Sequence, residues 1–385
     1  MYLFERLISL LIYVLCLFLI CYAILHTKKK DNHRLLKIYT LMLAVMGYCF
    51  VPHTGADLSR LLITMHYYAE MTWTNLLDAI SVSSTPGVGL YFFVIGKFGN
   101  DHLLPCISAF ITFSLCFSSL KRQIDEKDVK SRYIATALLL FMSRGLMMQI
   151  ISNIRTIMAL AICAWCIYQE FYLHARWRKL IIPYIIAASL HVMGQAMLIY
   201  RLIFMIVEKA NNPTQKIVRI ITAVVGGGLI WIFGNSYITA FLTKAEDYYG
   251  YAKQGTGFSY VWEGILCIFT LSVVLYMIVT YRRIKPIVAQ ENSDEGINET
   301  AHLVSYMIPL AVIDIFAGFI EFNFFLRINW YLTILMIPLC VQLLKVADFT
   351  GKEKVLRHNI VITAFVILLL ACARGDLCSL KFFLF

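Results

Sequence analysis

"LISLLIYVLCLFLICYAILH", residues 7–26, contains no acidic or strongly basic side chain. Twenty apolar residues in helical form cover about 30 Å, the thickness of a bilayer's hydrocarbon core. The stretch does not read as a convincing cleavable leader: Glu5 and Arg6 make a weak basic region before it, and "LHTKKK" after it has no small-residue cleavage site. It reads as a membrane span.

The rest of the chain has the same character. Of its 385 residues, 60% are hydrophobic and 15% charged, with a mean hydropathy of +0.73. Soluble domains carry about 25% charged and 45–50% apolar residues. The expectation is an all-α polytopic membrane protein, a single integral membrane domain over residues 1–385, with about 11–13 transmembrane or re-entrant helices. The net charge of +11 lies in basic clusters at 28–37, 121–132, 174–179, 208–219, 282–285 and 351–357. In a membrane protein such clusters mark the cytoplasmic side, and no nucleic-acid motif accompanies them.

Placing all six clusters inside puts the N-terminus outside. Spans then fall near 7–26, 36–52, 103–120, 133–151, 154–173, 218–242, 260–281, 302–319, 328–345 and 360–374. Residues 181–207 must leave and re-enter, and at this length they read as two half-helices. The apolar run "PGVGLYFFVIGKFG" (86–99) is short enough to be re-entrant. Residues 61–80 alternate apolar and polar at helical spacing, so an amphipathic helix on the surface is expected within an external segment 53–85. A second external loop, 243–259, is rich in tyrosine and glycine, a composition that stacks on sugars and also populates membrane interfaces generally.

Most of the eleven cysteines lie singly in apolar runs and read as small buried hydrophobes. Cys163 and Cys166 form a C-x-x-C without a second pair, so no metal is expected. Cys372 and Cys378 are close enough in sequence to bridge in an oxidising compartment. No Walker-type phosphate loop is present, and "VVGGGL" (224–229) lies inside an apolar run without strand–helix context. No cofactor is implied, and any reaction must use a substrate that arrives already activated.

Charged side chains in or beside spans are expensive and mark sites by default. In this topology five gather at the external side. Asp57 and Arg60, in "TGADLSRLL", share one helical face. Arg155 opens the helix "SNIRTIMALAI". His191 sits in the re-entering segment, in "AASLHVMGQA". Arg327 stands at the mouth of a span in "EFNFFLRINWYL", four residues before Tyr331. Arg144, in "FMSRGL", is also intramembrane. The guanidinium fork matches phosphate oxygens, so converging arginines point to a phosphorylated lipid or another dianion.

These segments also carry a resemblance. "TGADLSRLL", "SNIRTIMALAICAWCIYQ", "LIIPYIIAASLHVMGQAMLIY" and "FFLRINWYLTILMIPL", in that order over most of residues 50–345, resemble the ordered motifs of EpsG-like, Wzy-type polysaccharide polymerases. The chain departs from them at Leu61, after Arg60, and at Val192-Met193-Gly194, after His191. The resemblance implies an inverting glycosyltransferase related to the GT-C class. Such an enzyme joins undecaprenyl-pyrophosphate-linked oligosaccharide units on the outer face of a bacterial inner membrane, making capsule, O-antigen or exopolysaccharide. A flippase and a chain-length regulator of the same pathway would be its partners. Arg155 and Arg327, with Arg60 and Tyr331, would hold the pyrophosphate, and His191 or Asp57 would serve the acceptor hydroxyl, with His191 favoured. A lipid-linked glycan ligase and a flippase or transporter of lipid-linked glycans are the alternatives.

Overall fold

A computed structural model describes residues 2–52, 57–126, 128–208, 257–291 and 295–373, together with 214, 215, 217 and 382. Within these residues the chain is helical. The helices are α1 (Tyr2–His26), α2 (Asn32–Cys49), α3 (Asp57–Ala69), α4 (Trp73–Ser81), α5 (Pro86–Gly96), α6 (Leu103–Ile124), α7 (Ser131–Ser143), α8 (Leu146–Ser152), α9 (Ile154–Leu173) and α10 (Trp177–Leu190). There follow α11 (Val192–Glu208), α12 (Gly257–Glu291), α13 (Glu295–Ile320), α14 (Phe322–Phe349) and α15 (Glu353–Ala373). Seven of the described helices are long and apolar enough to cross a membrane, or eight if α7 and α8 form one broken span. The expected span 218–242, the glycine run 224–229, Cys378 and residues 243–256 of the expected loop 243–259 lie outside the described residues, and 257–259 open α12.

Packing sorts the helices by depth. The best span window of α14 is 89% buried, against 33% for those of α1 and α15, so α14 is the central helix and the other two lie at the periphery. Along α1, Leu7, Leu11, Leu15 and Leu19 recur every four residues and stay exposed. They form a stripe suited to lipid tails.

One end of the bundle gathers the basic clusters. There Lys130 and Arg132 pair with Asp348, Arg132 also pairs with Glu353, and His33 pairs with Asp125. Helices α1, α9, α11 and α14 finish at this end, and α2, α7, α13 and α15 begin there.

The segment between α2 and α6 does not cross. Asn100 Nδ2 donates to Tyr48 Oη at 3.1 Å, and the His102 ring lies 5.2 Å from that of Tyr48. The chain therefore leaves the bundle after α2 and rejoins it at the same place. Helix α5, with Pro86 at its first position, is about 16 Å long, which fits a re-entrant element.

Three expectations change. The single amphipathic helix over 61–80 is two helices: α3 starts earlier and buries Leu58, Leu61 and Met65, and Thr72 restarts the chain as α4 by accepting from the Asn75 N–H. The span 133–151 is broken, with α7 and α8 bent by 60° at Gly145, whose φ of 71° is left-handed and open to glycine at little cost. Arg327 lies in the second turn of α14 instead of at its mouth, because Glu321 caps the helix early by accepting from the Asn323 and Phe324 N–H groups. The two half-helices over 181–207 are α10 and α11, packed on each other and divided at His191.

Candidate active site

The end opposite the basic clusters holds the residues singled out above. Arg155 is in the first turn of α9, half-buried. The Asn153 side chain at the start of that helix donates to Gln149 Oε1 at 2.7 Å and makes no cap bond to the helix amides. A helix start carries partial positive charge and favours anions, so Arg155 adds a full charge where the backbone already contributes one.

Arg327 reaches the same level. Ala164, Trp165 and Tyr168 of α9 line one small cavity with Ile334, Leu335 and Pro338 of α14, and both helices run toward the basic end. Counting back nine residues from Ala164 and from Ile334 (164 − 155 = 334 − 325) reaches Arg155 and Phe325. Arg327 thus lies within about one turn of the level of Arg155. Positions 327, 331, 334, 335 and 338 share one face of α14, the face toward α9. The amides at the start of α14 are already taken by Glu321, so on that helix the guanidinium is the group suited to an anion.

Tyr331 lies on the same face but deeper. It is fully buried, and its hydroxyl is 3.1 Å from that of Tyr306.

His191 forms the turn between α10 and α11. Its N–H donates to the Ala187 carbonyl at 3.3 Å. Its Nδ1 accepts from the Met193 N–H at 3.0 Å, so the ring caps α11. A neutral ring with Nδ1 accepting carries its proton on Nε2. The turn is tight. A Cβ on Gly194 would fall 2.1 Å from the Ala187 carbonyl oxygen, and one on Gly87 would fall 2.2 Å from Ser189 Oγ. The start of α5 therefore seats against the His191 turn, and Gln195 Nε2 donates to the Ser84 carbonyl at 2.8 Å.

Arg60 donates to Asp57 one turn away on α3. The arginine side chain is 67% exposed and the aspartate 38%. Helix α3 packs on α5 and on α8, so this pair borders the same end without being buried in it. The helices thus bring Arg155 and Arg327 to one level, with the His191 turn on α9's other neighbours. Tyr331 lies below them, and the Asp57–Arg60 pair is on the rim.

Compared with protein-family models, residues 54–379 match the EpsG family. The chain belongs to that family. EpsG-like proteins are Wzy-type polymerases, which supports a polysaccharide polymerase of glycosyltransferase type as the general role of this EpsG chain. Searches of curated proteins and of solved structures return no match.

Two polar groups of this EpsG protein escape motif reading. Arg144 Nη2 donates to Glu263 Oε1 at 2.8 Å, with Asp314 and Asn329 beside them, all buried. Arg201 makes two bonds to Glu170, Nε to Oε2 at 2.9 Å and Nη2 to Oε1 at 2.5 Å. The signal was present: Glu263 and Asp314 are carboxylates inside the apolar runs "VWEGILCIF" and "AVIDIFAG", the same anomaly that singled out the arginines.

Proposed function

We propose that this EpsG-family chain joins polyprenyl-pyrophosphate-linked oligosaccharide units into a surface polysaccharide at the outer face of a bacterial inner membrane. The observation that carries the reading is the pair of arginines, Arg155 and Arg327, level with each other on adjacent helices at the end away from the basic clusters. In the reaction an acceptor sugar oxygen bonds to the anomeric carbon of the donor. The bond from that carbon to the pyrophosphate oxygen breaks, the electron pair leaves with the pyrophosphate, and the anomeric configuration inverts. Preplaced cations stabilise that developing charge. Arg155 and Arg327 supply them, Arg60 helps at the rim, and Tyr331 supports Arg327 from below. The hydroxyl proton goes to Asp57, a carboxylate on the rim. With Nδ1 holding the Met193 N–H, His191 acts as a donor to a substrate oxygen, and the base role favoured from sequence passes to Asp57. The repeat units would come from a flippase, and a chain-length regulator would act beside the enzyme.

Purified protein in nanodiscs with lipid-linked repeat units tests this. Arg155→Ala and Arg327→Ala should each lower polymer formation by about 10²–10³-fold. Near-normal polymer from both, at equal protein level, overturns the reading. His191→Gln keeps both a cap acceptor and a donor, so it should retain far more activity than His191→Ala. Equal loss from the two would return the base role to the ring.

A further inference from the structure

Four helices meet at a buried polar cluster that the proposed chemistry does not use. Arg144 donates to Glu263 at 2.8 Å and touches Cys267 Sγ at 3.3 Å. The Cys267 carbonyl accepts from Asn329 Nδ2 at 2.9 Å, and the same amide lies 3.4 Å from Asp314 Oδ2. All five residues are buried. Charges kept this deep in a span are expensive and mark function by default.

The cluster sits behind the site and touches two of its supports. Arg144 is the hinge residue. It follows the last residue of α7 and precedes Gly145, where the chain turns by 60° into α8. Helix α8 then runs through Asn153 to Arg155. Asn329 is two residues beyond Arg327 on α14, about 200° around the helix, so it faces away from Arg327 and toward α12. Glu263 and Cys267 are one turn apart on α12 and share its face. A single turn of α12 thus holds the bend that leads to Arg155 and the helix that bears Arg327.

We infer that the Arg144–Glu263–Cys267–Asn329 network is a positioning device that fixes the spacing of Arg155 and Arg327. None of its members need touch substrate; they act through the two helix starts. The inference rests on the pyrophosphate role proposed for those arginines. Displacing a positioned group by about 1 Å can lower a rate on the order of 100-fold.

The test uses the full chain in nanodiscs. Changing Arg144→Met together with Glu263→Met removes both charges of the pair, and Asp314 keeps the Asn329 amide, 3.4 Å away, as its partner. Replacing both partners of a buried pair with apolar groups is often neutral for stability, so the unfolding midpoint should stay close to the wild type. The polymerisation kcat should fall on the order of 100-fold, with KM changing much less. Hydrogen exchange should rise in peptides covering residues 146–155 and 322–330. Asn329→Leu should raise exchange at 322–330 and leave 146–155 unchanged. A double variant with wild-type kcat overturns the inference, and so does unchanged exchange in both peptides. The two readings fail separately: normal polymer from Arg155→Ala and Arg327→Ala sinks the proposed chemistry, whereas the exchange measurement decides whether the network holds the two helix starts.

Discussion

Arg201 and Arg144 are both arginines buried against a glutamate, and they are held in different ways. Arg201 forms a two-bond fork with Glu170, and its guanidinium lies 5.1 Å and 5.6 Å from the Phe171 and Phe204 rings. It joins two continuous helices, α9 and α11, near the basic end. Arg144 makes one bond to Glu263 and a contact to a thiol, and it sits where a span changes direction. A fork between continuous helices fastens them. A single bond at a break aims whatever follows the break.

The largest expected effects test that distinction. Glu170→Leu and Glu263→Leu each leave a buried arginine without its glutamate, which destabilises by about 3–5 kcal/mol, read from unfolding in nanodiscs. Adding Arg201→Met to the first should restore both stability and polymer rate, because the fork only fastens. Removing both Arg144 and Glu263 should restore stability alone. A rate loss as deep in the Glu170/Arg201 double variant would erase the difference between the two clusters.

A mid-sized effect concerns the His191 turn. In Gly194→Ala the new methyl meets the backbone oxygen of Ala187 at 2.1 Å, so α10 and α11 must part, with a loss of about 1–3 kcal/mol. Gly264→Ala is the control, since its methyl would make an ordinary 3.7 Å contact with Phe322 and should leave the unfolding midpoint unchanged. The smallest effect is on the rim. Arg60→Ala breaks an exposed pair and should alter stability by less than about 1 kcal/mol, while lowering the polymer rate at limiting donor lipid. A larger stability loss would mean the pair is structural.

The spans were legible because twenty apolar residues in a row leave few alternatives. The 154–173 helix begins and ends where hydropathy places it. Breaks were harder to read. Around Ser143-Arg144-Gly145 apolar runs lie on both sides and read together as one span, and the left-handed φ of Gly145 reveals the bend. His191 was found as a helix interruption, yet its protonation pattern depends on a backbone N–H two residues away, which hydropathy does not encode. Glu263 and Asp314 lay in plain view as charges inside apolar runs. Their partners are not legible there, because pairing across 119 residues, as between Arg144 and Glu263, has no local signature.

The chain departs after α2 and returns beside Tyr48 to start α6, so residues 50–102 add no net crossing. That makes the segment a cassette. Exchanging it between related chains would replace the wall against which the His191 turn leans, and every helix from α6 onward would keep its direction across the bilayer.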